Sequence, residues 1–163
     1  MLETAPRLSA PKRAPQTIGG CVVSRLTPPE RRAIERLGLS GFIAVGDVDG
    51  PLAGEYEILA VTWLSVRKRL DEARVHSPRE RGCRVSLWTE GERYRGRLEE
   101  AFRPRFAELG IAGRSNWVRL AAEDIEAEIR AAGRRAGITV FDAEQAQQRI
   151  DAEVRRDLMR GFL

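Results

Sequence analysis

Between Leu52 and Ala73, large apolar side chains recur at alternating spacings of four and three: Leu52, Tyr56, Leu59, Trp63, Val66, Leu70 and Ala73. That rhythm marks one face of a helix, and it predicts a long helix over about 53–74 with another helix packed against it. Ile58, Val61 and Leu64 widen the apolar surface beyond a single stripe, so the middle of this helix is expected at the centre of the core. A chain of 163 residues is long enough to bury such a core without staples.

Punctuation elsewhere sets the remaining elements. Thr27 followed by Pro28 and Pro29 is a helix start, with Thr27 as N-cap, and Gly38 is its stop, giving a helix near 28–37. Phe42 to Val45, between two glycines, reads as a short buried strand, and Cys83 to Trp88 as a second. Thr89 and Glu92 fit a capping box for a helix whose inward face is Tyr94, Leu98, Phe102, Phe106 and Leu109, bent at Pro104 and ended by Gly110. Ser115 or Asn116 is expected to open a further helix with Trp117, Leu120, Ile125 and Ile129 inward and its stop near Gly133 or Gly137. Ile138 to Phe141 is a third possible strand. Asp142 caps the last helix with Gln145 at the capping-box position, and Ala146, Ile150, Val154 and Leu158 form its stripe.

The expected fold is mainly α, of α+β type, with four to five helices and up to three short strands. The alternative is a small α/β domain with a short parallel sheet and right-handed crossovers. Residues 1–24 read as a flexible, basic, proline-containing arm and residues 25–163 as one helix-dominated domain. No apolar run is long enough to span a bilayer and no secretory h-region follows Glu3, so a cytoplasmic protein with no membrane partner is expected. Cys21 and Cys83 lie in unlike contexts, which favours reduced thiols, with Cys83 packed and inert.

Charge is distributed unevenly. The first 36 residues hold seven cations against three anions, whereas residues 37–163 hold 21 of each sign. A basic arm on a neutral body is a common way to hold a polyanion. Arginine outnumbers lysine 26 to 2, and guanidinium groups bind phosphate bidentately where lysine acts as a point charge. Two basic clusters supply the candidate nucleic-acid contacts: Arg13, Arg25, Arg31, Arg32 and Arg36 in the arm and first helix, and Arg67, Lys68, Arg79 and Arg81 further on. Trp88 or Trp117 could add stacking. Against this, Glu35, Asp71, Glu72 and Glu80 could neutralise the clusters as surface ion pairs, with the tryptophans in the core.

Residues Gly46-Asp47-Val48-Asp49-Gly50, directly after the apolar run Phe42 to Val45, resemble the first motif of haloacid-dehalogenase-type phosphohydrolases. The resemblance implies Asp47 as nucleophile, Asp49 as acid/base and a magnesium ion between carboxylate and phosphate, with Thr89 imitating the second motif. It covers about ten residues, Pro51 replaces the usual Thr or Val, and both lysines precede the second motif. The same stretch fails as a calcium loop because Ile58 stands where a bidentate glutamate is required. His76 is the one histidine, and no zinc ligand set, Walker loop or dinucleotide fingerprint is present.

These observations describe a non-enzymatic binding protein that uses no cofactor and no metal. Its basic arm and first helix would contact nucleic acid through sequence-independent phosphate contacts, or partner subunits in a macromolecular assembly, or both. The apolar residues Phe162 and Leu163 are candidate partner contacts, with a protein partner or a homo-oligomer as the other side. A structural or adaptor subunit with no nucleic-acid role, and a magnesium-dependent phosphohydrolase centred on Asp47 and Asp49, are the alternatives.

Overall fold

The segment expected to form one long helix divides into a strand and a helix. The computed structural model describes residues 16–18, 21–23, 25–48, 54–75, 80–111 and 114–161. In chain order these form β1 (Gln16–Ile18), β2 (Cys21–Val23), α1 (Pro28–Leu37), β3 (Leu39–Asp47), β4 (Glu55–Thr62), α2 (Val66–Val75) and β5 (Arg81–Glu90). They continue with α3 (Glu92–Glu108), β6 (Gly110–Ile111), β7 (Arg114–Arg119), α4 (Ala122–Ala136), β8 (Phe141–Asp142) and α5 (Ala143–Met159).

β4 is a strand because it is sandwiched. Leu59 and Val61 enter the core cluster on one face of the sheet, while Tyr56, Ile58 and Ala60 pack against the cluster on the other. A strand covered on both faces shows a near-continuous apolar run in sequence, and here that run also fits a helical spacing. The break comes at Thr62 and Ser65. The Ser65 amide donates to the Thr62 hydroxyl at 3.2 Å and the Thr62 amide to the Ser65 hydroxyl at 2.9 Å, and the Ser65 carbonyl then accepts the first bond of α2 from Arg69.

Six strands form one sheet in the order β6-β7-β4-β3-β5-β8, with every pairing antiparallel. The fold is therefore α+β, with five helices on a six-stranded antiparallel sheet. This corrects the expectation of up to three short strands, and it removes the alternative of a small parallel sheet. Although every neighbouring pair is antiparallel, β4 and β5 flank β3 and therefore run parallel to one another, so α2 is the crossover that joins them. β1 and β2 form a separate antiparallel pair within the segment assigned to the arm.

The helices cover the sheet in two layers. α1, α2 and α5 surround the cluster that holds Ile43, Val45, Trp63 and Trp88, and α3 and α4 surround the cluster that holds Phe42, Leu87, Phe102 and Ile129. Alternate residues of β3 feed the two clusters, and every residue of that strand is buried. In β5 a bulge between the Ala44 and Val45 pairings lets Cys83 and Val85 serve opposite clusters although they are two residues apart. Gly41 leaves no room for a side chain between β3 and β5, since a Cβ there would sit 1.9 Å from the Leu87 carbonyl oxygen.

Local signals explain the helix ends. Thr27 and Glu30 cap α1 reciprocally, prolines occupy its first positions, and Gly38 ends it at φ 61°. Asp142 and Gln145 do the same for α5. The capping box expected at Thr89 does not form. Thr89 is buried in β5, its hydroxyl donates to the Ser40 carbonyl, and α3 starts after Gly91 with no side-chain cap. Ser115 and Asn116 lie in β7 rather than at a helix start, and α4 begins at Ala122 and ends at Gly137. The stripe on α5 also turns: Ala146 and Ile150 are buried, but Leu158 is 56 % exposed and the buried positions of the last turns are Glu153 and Asp157.

Cys83 is disulfide-bonded, which corrects the reading of it as a reduced, inert thiol. The chain's other cysteine is Cys21 in β2, and β2 lies against β5. Sequence distance conceals that proximity. Among the described residues, no helix is long and apolar enough to cross a membrane.

Candidate nucleic-acid interface

The structure distributes the predicted basic residues among three different roles. Arg31 and Arg32 on α1 and Arg67 and Lys68 on α2 are exposed, as is Arg25 just before α1. α1 and α2 belong to the same layer, and their near ends are linked through the backbone: α1 leads into β3 at Leu39, and the Leu39 carbonyl accepts from the amide of Trp63, just before α2. The two clusters are remote in sequence and decorate one side of the molecule. Among the described residues, none of these five cations forms an ion pair. Of the acidic residues expected to neutralise them, only Glu72 does so for a neighbouring cation, holding Arg69 at 3.3 Å.

Arg36 has a different role. It bonds to Glu153 at 3.1 Å and to Asp157, joining α1 to α5. Its pKa is raised above the usual arginine value, chiefly by the Asp157 hydrogen bond, with a further contribution from Glu153. Arg156 also holds Glu153 at 2.8 Å. Two nearly buried carboxylates on α5 thus depend on cations around them, and Arg36 is a fastener between helices rather than a free phosphate ligand.

Arg81 belongs to the sheet. Its guanidinium bonds Asp47 at 3.3 Å and the Ala73 carbonyl at 2.9 Å, and it lies 5.0 Å from the centre of the Trp117 ring. This also fixes the fate of the acidic motif: Asp47 ends β3 buried beneath Arg81, and Asp49 lies outside the described residues. Thr89, expected as a second-motif mimic, spends its hydroxyl on the Ser40 carbonyl. Among the described residues no group of three or more His, Cys, Asp or Glu converges as a metal site would require. Arg13, His76, Arg79, Phe162 and Leu163 also lie outside the described residues.

Neither tryptophan proposed for stacking is on the surface. Trp88 is buried, donates its indole N–H to the Ser86 hydroxyl at 2.7 Å and meets Trp63 edge-on at 4.7 Å. Trp117 is buried beside Arg81. A feature that sequence reasoning missed lies on the opposite face, where Glu99, Arg103 and Asn116 rim a cavity between α3 and the sheet. The i, i+4 spacing of Glu99 and Arg103 was a visible signal, but the assignment of Asn116 to a helix start hid its place in β7. Compared with known proteins, the chain matches no family model, no curated sequence and no solved structure.

Proposed function

We propose that this protein is a non-enzymatic binding protein whose α1–α2 layer holds a nucleic-acid phosphate backbone through sequence-independent contacts. The observation that carries this reading is the exposure of Arg31, Arg32, Arg67 and Lys68 on one layer with no ion pair among the described residues. Exposed cations that have no carboxylate partner keep their full charge for an external anion, and releasing counterions from the phosphates then drives association. Arg25 extends the same surface toward the preceding segment. Binding is favoured over turnover because Asp47, the best nucleophile candidate in the sequence, is occupied by Arg81.

The test is fluorescence anisotropy with a mixed-sequence duplex and a single strand across a series of salt concentrations. Replacing Arg31, Arg32, Arg67 and Lys68 together with alanine should flatten the slope of log K against log salt, by about 0.9 for each duplex phosphate that the variant no longer neutralises. An unchanged slope would remove this layer from the interface.

Assembly through a protein partner is the second reading, favoured by the end of α5. There Leu158 and Met159 are exposed, with Arg155 and Arg160 beside them. An acidic partner with apolar anchors would suit that surface.

A further inference from the structure

The sheet face that carries α3 and α4 is unevenly covered. α3 lies against β3 and β5, and α4 against β5, while Tyr56, Ile58 and Ala60 of β4 stay half-buried on that face. A cavity of about 490 Å³ opens between α3 and the β4–β7 half of the sheet. The volume falls within the roughly 300–1,000 Å³ typical of small-molecule sites.

Its lining has two parts. The inner wall is aromatic and aliphatic, built from Phe42, Phe102, Phe106, Ile58 and Val118. Phe42 meets Phe102 edge-on with ring centroids 4.8 Å apart, and Phe102 and Phe106 are 4.9 Å apart, so each ring is fixed by its neighbour. The rim is polar. Glu99 and Arg103 are one turn apart on α3 and paired at 2.8 Å, and Asn116 joins them from β7.

This combination selects among ligand classes. A hydrocarbon chain would match the inner wall but would cover the Asn116 carboxamide and the open side of the Glu99–Arg103 pair without offering either a hydrogen bond. A bare anion would use Arg103 and waste the rings. A planar heterocycle with donors and acceptors on its edge satisfies both parts. We infer that this cavity takes a nucleobase, its ring against the phenylalanine wall and its edge met by Glu99, Arg103 and Asn116. Carboxylate, guanidinium and carboxamide are the side-chain groups that pair with base edges. The base could belong to a free nucleoside or nucleotide, or to an unpaired position in a strand. The site lies across the sheet from α1 and α2 and does not rest on the phosphate-binding reading.

The experiment is calorimetric titration of the full chain with the common ribonucleosides, their 5′-monophosphates, a short single-stranded oligonucleotide and inorganic phosphate. Ala107 is exposed on α3 and also lines the cavity one turn beyond Arg103, so Ala107→Trp places a large ring at its mouth while leaving Glu99, Arg103 and Asn116 themselves unchanged. Binding of at least one nucleoside or of the oligonucleotide is expected, reduced tenfold or more by Ala107→Trp while the circular dichroism spectrum is kept. Glu99→Gln should weaken the same ligand by about tenfold, the effect of removing one hydrogen bond to a charged group. Nucleoside binding assigns the site to free ligands, and binding by the oligonucleotide alone assigns it to a base within a strand. The inference is overturned if neither kind of ligand binds, if binding is indifferent to Ala107→Trp, or if inorganic phosphate competes as well as the nucleotide. The fourfold alanine variant in α1 and α2 should retain nucleoside binding, so the two readings can fail separately.

Discussion

Arg81 and Asp47 are register partners on adjacent strands, and their side chains meet at 3.3 Å with only 12 % and 2 % of their surfaces exposed. The pair closes the end of the sheet where β3 and β5 finish their ladder. Its geometry determines what each residue can do.

Removing one member should therefore cost more than removing a surface pair. Arg81→Met leaves the Asp47 carboxylate buried without its cation, and truncating one partner of such a pair typically costs about 3–5 kcal/mol. Urea denaturation of the variant should show a lower midpoint with an unchanged slope. A midpoint within error of the wild type would mean that Asp47 finds another partner or water.

Arg36 and its neighbours on α1 should separate cleanly. Arg36→Ala removes the bond to Glu153 and the bond to Asp157, so it should lower the thermal midpoint. Arg31→Ala and Arg32→Ala touch exposed side chains and should leave the midpoint almost unchanged. Differential scanning calorimetry on the three variants checks this, and equal midpoints would show that the α1–α5 fastener contributes little. The comparison also guards the binding experiment, since loss of binding in Arg36→Ala would have a structural cause.

Gly41→Ala should be among the most damaging single-atom changes in the chain. The new methyl would lie 1.9 Å from the Leu87 carbonyl oxygen, which is backbone and cannot rotate away, so β3 and β5 must separate. Overpacking of this kind costs roughly 1–3 kcal/mol and at times more. Hydrogen exchange should then accelerate in β3 and β5. Unchanged protection would show that the ladder shifts without loss.

The parts of the fold that were legible in the sequence are those fixed by local chemistry. Thr27, Pro28 and Gly38 bound α1, and Asp142 with Gln145 starts α5, because caps act over three or four residues. The sheet was not legible, since β4 is covered on both faces and its alternation is erased: residues 56 and 59 are both apolar for different reasons, one for each core cluster. β7 was lost in the same way, with Trp117 and Val118 facing opposite sides and mimicking the start of an apolar helix face. At the candidate interface, Arg31, Arg32, Arg67 and Lys68 are exposed, as polar positions outside an apolar stripe would be. The ion pairs of Arg36 and Arg81 were not legible, because their carboxylates come from positions far along the chain. Asp157 is 121 residues from Arg36, and no pattern within a window could join them.

That separation has a consequence for how the chain is made. During synthesis α1 emerges well before α5, yet Ala33 and Ile34 are buried in a cluster completed by Ala146 and Ile150 of α5. Until α5 leaves the ribosome, α1 lacks its cover on that side and Arg36 lacks the carboxylates it holds in the folded chain. Between the appearance of α1 and that of α5 the nascent chain therefore carries an open apolar surface, and a chaperone that recognises such surfaces would engage it in that interval.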